Sequence, residues 1–299
     1  MQPNRSAGSP DAPRASASVR VREIRESDLA AIAALLNRGF PHCSLQYWLR
    51  GLQRHAERPR PRAYPAFGYC LDRGGTPVGV ILLLFSEVLS GTETIVRCNV
   101  SSWYVEPELR AFSSLLVRAA TRDKRVTYFN ITPAPHTWPQ VEAQGFSVYC
   151  RGQIYAALAL AKPVPRVIVR PFTASESAGL SDYEIDLLRR HEEFGCLSLV
   201  AQEGTNNHPF VFQKHLVRGF VPVHRLLYCR DIRDLTRLAG NLGRFLARRG
   251  GLLVRFDANA PVPGLVGWYS EQRGRKYAKG PHPPQLGDLA FTEAALFDS

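Results

Sequence analysis

The residues of this sequence that could do chemistry gather in its first half. Glu87 closes the apolar run "VGVILLLFS". A carboxylate sheltered at the end of a buried strand is a stronger proton acceptor than one in water, although a strand-end glutamate facing solvent is the plainer alternative. Asn99 and Ser101 lie in "TIVRCNVSSWYV", where strict alternation puts them on one face and Tyr104 on the other. His136, in "TPAPHTWP", stands at the mouth of a short helix, where the positive helix end favours the neutral imidazole that a base requires. An exposed loop histidine fits equally. Tyr149 and Tyr155, on the last strands of this half, read as a core or cross-strand aromatic pair.

A second kind of chemistry is anion binding. The stretch "WYVEPELRAFSSLLVRAA" reads as a strand, a proline-marked break and a helix, with Arg110, Ala111, Phe112, Ser113 and Ser114 at the joint. Free backbone N–H groups and the helix dipole favour an anion there, while serines capping an ordinary joint account for the same letters. The formal charge of +12 favours anionic partners in general. The densest basic stretch, "RHAERPRPR" (54–62), has prolines between its arginines and no interleaved aromatics to stack bases, so it reads as a solvated or anion-contacting loop and points away from nucleic acid. "RGRKYAKG" brings Arg273, Arg275, Lys276 and Lys279 together as a second basic loop, solvated or clamping an anion.

These residues need a scaffold, and 299 residues with 45% hydrophobic and 21% charged content suffice for a packed body of one large domain or two smaller ones. The longest apolar run, 78–85, is too short to span a bilayer, and no secretory apolar segment follows Met1, so a cytoplasmic protein is expected. The six cysteines form no CxxC pair or zinc-ligand spacing and mostly fall in apolar runs, as small buried hydrophobes do. Residues 1–18, rich in Pro, Ser, Ala and Gly, are expected to be a disordered leader.

From Val19 the patterning predicts a strand, a helix N-capped by Ser27 and ending near Gly39, and a second helix over "SLQYWLRGLQRH". Two strands joined at Gly74-Gly75, a third strand, the helix after Pro107, a strand, a short helix stopping at Gly145, and one or two closing strands complete the first unit. "AKPVP" (161–165) marks a boundary, because two prolines in five residues interrupt helix and ladder alike. The same order of strand, helix, three strands, helix and strand then repeats, which suggests a structural duplication: residues 19–160 and 166–299 as two mixed α/β units.

The element order of residues 19–160, with "NVSSWYVEPELR" on the fourth strand and "QGF" at 144–146, resembles the GCN5-related N-acetyltransferase superfamily; the duplication is similar to its tandem members. That family's anion-binding pattern, Gln/Arg-x-x-Gly-x-Gly/Ala, is met at Arg110, whereas Ser113 and Leu115 replace its small residues. The resemblance implies an α/β acyl-CoA N-acyltransferase fold in tandem and transfer of an acyl group, with acetyl as the expected one, to an amine or hydroxyl of a small-molecule acceptor. It implies an acyl-coenzyme A, such as acetyl-coenzyme A, as co-substrate at Tyr104, Val105, Arg110, Ala111, Phe112, Ser113 and Ser114. Glu87, Asn99 and His136 are the catalytic candidates it implies, with a fourth-strand N–H for the oxyanion. The second joint, "YCRDIRDLTRLAGNL", is acidic where phosphates would lie, so the C-terminal half is not expected to bind the cofactor. A non-catalytic scaffold of the same fold, binding an anion or a protein partner, is the alternative.

Overall fold

The computed structural model describes residues 18–90, 93–174, 178–217 and 221–297; the expected leader lies almost wholly outside them. The first half contains β1 (Val19–Glu23), α1 (Leu29–Gly39), α2 (Leu45–Glu57), β2 (Gly68–Arg73), β3 (Thr76–Ser90), β4 (Glu93–Val105), α3 (Ser113–Ala120), β5 (Thr127–Asn130), α4 (Trp138–Ala143), β6 (Ser147–Cys150) and β7 (Gly152–Ala156). The second contains β8 (Val167–Pro171), α5 (Asp182–Glu193), β9 (Leu197–Glu203), β10 (Asn206–Val217), β11 (Val221–Cys229), α6 (Ile232–Arg237), α7 (Ala239–Ala247), β12 (Leu253–Ala258), β13 (Gly267–Ser270), β14 (Lys276–Lys279) and α8 (Glu293–Leu296).

Local chemistry sets most of these limits. Gly74 and Gly75 both adopt positive φ, as a two-residue hairpin turn demands, and the Gly75 N–H donates to the Asp72 carboxylate at 3.0 Å. Ser44 caps α2 by accepting from the Tyr47 N–H. In α5 the Ser181 and Glu184 side chains cap each other's backbone N–H groups. Ser27 does not cap α1, because it falls inside a 3₁₀ turn, Glu26–Asp28, that precedes the helix.

Two seven-stranded mixed sheets form, ordered β1-β2-β3-β4-β5-β14-β6 and β13-β7-β12-β11-β10-β9-β8. Each has one parallel pair, β4 with β5 and β11 with β12, in otherwise antiparallel surroundings. The sheets exchange strands. β7, on the N-terminal side of the proline-rich connection, pairs with β12 and β13 in the second sheet, and β14 inserts between β5 and β6 of the first. "RGRKYAKG" is therefore no solvated loop. Lys276 is 1% exposed and donates to Asp257 at 2.7 Å, and Tyr277 is fully buried in the first core. The Lys279 ammonium donates to the Gln144 carbonyl, and the Arg275 guanidinium lies 4.1 Å from the Trp138 ring centroid.

Helices α1 and α2 cover one face of the first sheet and α3 and α4 the other. A core between the halves joins Phe129, Ile131 and Ala278 of the first sheet to Leu187, Leu188, Val211 and Leu227 of the second half. Five of the six cysteines are buried. Among the described residues, no helix is long and apolar enough to cross a membrane.

Candidate active site

The chemistry converges where β4 and β5 part. Their parallel ladder runs only from Arg97↔Thr127 to Asn99↔Phe129; β4 then continues to Val105 while β5 stops at Asn130. Beyond Asn99 the two strands form the prongs of a fork. A bulge bends the longer prong: between the pairs Leu82↔Ser101 and Val80↔Tyr104, both Ser102 and Trp103 oppose Ile81 alone, and Ser102 takes φ +47°. The extra residue restarts the alternation. Tyr104 consequently shares its face with Asn99 and Ser101, contrary to strict period two, and packs against α1. A Cβ on Gly39 would come within 2.5 Å of the Tyr104 ring, so this glycine leaves room for the tyrosine as well as ending the helix.

A carboxylate that the sequence did not single out bridges the prongs. Glu293, first residue of α8, is 8% exposed. One of its oxygens accepts from the Thr132 hydroxyl at 2.6 Å, just beyond β5, and the other accepts a short hydrogen bond from the Ser101 hydroxyl on β4. With its proton given to Glu293, Ser101 accepts in turn from Ser102, 3.0 Å away. Ser102, Ser101, Glu293 and Thr132 thus form a continuous hydrogen-bonded chain that converges on the carboxylate, from the bulge on one side and from an exposed threonine on the other. No pattern in the C-terminal sequence announces this role, since "FTEAALF" reads as any short amphipathic end and its packing site is nearly two hundred residues away.

Asn99 is fully buried with its amide committed. Its nitrogen donates to the Phe129 carbonyl at 3.2 Å and its oxygen accepts from the Glu293 N–H at 2.8 Å, so it fastens α8 to the fork. Glu87 is exposed on β3, opposite Val96, on the far side of the parallel ladder from the prongs. His136 is exposed in a 3₁₀ turn, Pro135–Thr137, before α4. The structure does not bring these three candidates together; of them only Asn99 bonds the residue that carries the bridging carboxylate, through its backbone N–H. Tyr149 is half-buried beside the core between the halves with its hydroxyl buried and without a hydrogen-bond partner, and burial first, then Asp257, pushes that hydroxyl well above its usual range. Tyr155 stacks on Trp268, centroids 4.9 Å apart, as an aromatic pair.

At the joint between β4 and α3, Pro107–Phe112 wind a 3₁₀ turn that runs straight into α3. The N–H groups of Leu109 and Ser113 donate inside this turn, to Glu106 and Arg110 carbonyls. Arg110, Ala111, Phe112 and Ser114 are exposed, Ser113 is half-buried, and Val105 is buried. Glu106, ahead of the turn, pairs with Arg38 at 2.8 Å and accepts from the Tyr104 hydroxyl at 3.2 Å. Burial, and next the Glu106 charge, raises the Tyr104 hydroxyl above its usual range, which keeps it a neutral donor. The groups this joint presents to an anion are the Arg110 guanidinium and the serine hydroxyls rather than an open cradle of amides. Between the prongs, Val100, Trp103, Asn130, Val141, Gln144 and Phe146 close the slot to about 10 Å³, room for roughly one water. The joint thus offers an acyl-coenzyme A side-chain donors for its phosphates, whereas the slot as it stands is too small for the cofactor's arm.

No protein-family model and no curated protein matches the chain. Solved structures do. A glucosamine N-acetyltransferase region of a fungal multi-domain β-N-acetylglucosaminidase, described as GCN5-related, aligns with a TM-score of 0.57 at 13% identity over 90% of this chain, which spans only 39% of that protein. A GCN5-related N-acetyltransferase from Kribbella flavida aligns with a TM-score of 0.55 at 15% identity over 89% of this chain and 72% of its own. One from Anabaena variabilis gives 0.56 at 9% identity, over 87% and 72%. The chain has the mixed α/β fold of the GCN5-related N-acetyltransferases, and its two sheets, each opening at one parallel pair, fit a tandem duplication of that fold.

Proposed function

We propose that the chain is an acyl-coenzyme A-dependent acyltransferase whose transfer point is the fork between β4 and β5. The acyl thioester supplies the electrophilic carbonyl when bound. Glu293 takes the proton of an acceptor amine or hydroxyl through Ser101 and Ser102, and the bulge frees fourth-strand backbone to donate to the developing oxyanion. Arg110, Ser113 and Ser114 hold the cofactor's phosphates, with Tyr104 and Val105 along the same prong. Acetyl is the acyl group we favour, and a small molecule the acceptor. Glu87 and His136 fall outside this arrangement, and Asn99 is a positioning residue that aims α8. On this reading residues 19–160 and 166–299 are two duplicated sequence units that exchange β7 and β14.

The observation that carries the reading is the buried Glu293 carboxylate joining both prongs beyond the end of the β4–β5 ladder. Thiol release from acetyl-coenzyme A with pooled amines and amino sugars tests it. Glu293→Gln should lower kcat by about 10² to 10⁴ and flatten its acid limb, while Glu87→Gln leaves both unchanged. Equal activity of wild type and Glu293→Gln would remove the proposed base. The near-closed slot and the occupied turn amides favour a second reading, a non-catalytic scaffold. It is selected if wild type folds normally and releases no thiol with any acceptor.

A further inference from the structure

A cavity of about 650 Å³ lies between the two halves, within the roughly 300–1,000 Å³ range of small-molecule sites. Val88, Ile95 and Arg97 line it at the β3/β4 end of the first sheet, and Tyr228, Cys229 and Arg230 at the C-terminal end of β11. Its position on β4 separates it from the fork: Arg97 precedes Ser101 by four residues, about 13 Å along a strand. It is thus distinct from the proposed transfer point.

The walls of this cavity are built. Arg97, 5% exposed, makes a two-pronged ion pair with Asp288 at 2.6 and 3.0 Å and donates to the Ala290 carbonyl. Glu184, 4% exposed, makes another with Arg230 at 2.7 Å on both sides. Each cation is matched by its own carboxylate, so the four charges cancel in pairs. His282 and Gln285 add groups that both donate and accept, Ser181 and Tyr228 add hydroxyls that already donate to Glu184, and Val88, Ile95, Pro283 and Pro284 add apolar surface. Tyr183 lines the same space, and its buried hydroxyl has no hydrogen-bond partner.

We propose that this cavity binds an uncharged, polyhydroxylated small molecule, a saccharide or polyol. Hydroxyl groups donate and accept, and so complement mixed walls of guanidinium, carboxylate, imidazole and amide. Ring C–H surfaces complement the valine, isoleucine and prolines. A charged ligand meets no unbalanced counter-charge, because the Arg97 and Arg230 guanidiniums are already matched by Asp288 and Glu184. A wholly apolar ligand would leave the polar walls without partners.

Calorimetric titration of the full chain with cellobiose and glucose, and with glucuronate as the anionic counterpart of glucose, tests this. At least one neutral sugar should bind saturably below about 20 mM, glucuronate should bind at least about tenfold more weakly than glucose, and Gln285→Trp, a rim substitution that fills the space, should weaken binding by about tenfold or more. Circular dichroism confirms that the variant folds. The proposal is overturned if no neutral sugar binds in that range, if glucuronate binds as well as or better than glucose, or if folded Gln285→Trp binds unchanged. Because the fork contributes no residue to the cavity, these outcomes are independent of acyl transfer.

Discussion

His191 offers a quantitative test of how the C-terminal segment is held. Its ring is fully buried between α5 and the segment leading to α8. Nδ1 lies 2.7 Å from the Leu187 carbonyl, to which it must donate, and Nε2 accepts from the Phe291 N–H at 3.2 Å. Protonation would turn that acceptor into a donor facing a donor. Burial first, with the Arg97 charge adding and the Leu187 bond and Asp288 opposing, lowers the imidazole from 6.5 to about 4. The folded value is depressed, so the stabilisation is complete above the unfolded value of 6.5 and is lost as pH falls toward 4. The full loss is about 3 kcal/mol below pH 4, and at pH 5 linkage gives about 2 kcal/mol. Urea unfolding of wild type and His191→Gln at pH 7.5 and pH 5.0 measures it. Wild type should lose about 2 kcal/mol more than the variant between the two conditions. His55, also buried with its ring held well below the usual range, titrates in both proteins and cancels in the difference. Equal losses in the two proteins would refute the reasoning.

Two further outcomes follow from the exchanged strands. A fragment of residues 18–160 lacks β14 and with it Tyr277 of the first core, and leaves β7 without the sheet it joins. Expressed alone it should show no cooperative melting transition, and should recover one when co-expressed with residues 161–299; a cooperatively melting lone fragment would contradict the exchange. Lys276→Met strands the Asp257 carboxylate, 7% exposed, and should cost about 3–5 kcal/mol in chemical denaturation, whereas adding Asp257→Leu should restore most of it. A single variant as stable as the double would show that the pair does not hold β14 against β12.

Local signals carried much of the fold. Paired glycines gave the β2–β3 turn, Pro107 the end of β4, and helical periodicity α1, α2 and α5, because these choices are made within a few residues. The two-sheet duplication was legible from element order alone. What crosses the chain was not legible. β14 has the letters of a basic loop, and only the slot between β5 and β6, together with Asp257 brought from the second sheet, makes Lys276 a core residue. The bulge at Ser102 carries no glycine to announce it, and so Tyr104 was assigned to the wrong face. Asn99 was singled out for its place on the fourth strand and does stand at the fork, but Glu293, which it holds, lies in a segment whose partners are all distant in sequence.

Equilibrium titration with acetyl-coenzyme A tests the central claim most directly, because it needs no knowledge of the acceptor. The fork and the α3 joint should give saturable binding that Arg110→Ala weakens by about tenfold or more. No heat of binding and no thermal shift up to about 1 mM ligand, or unchanged affinity in Arg110→Ala, would contradict an acyl-coenzyme A site at this joint.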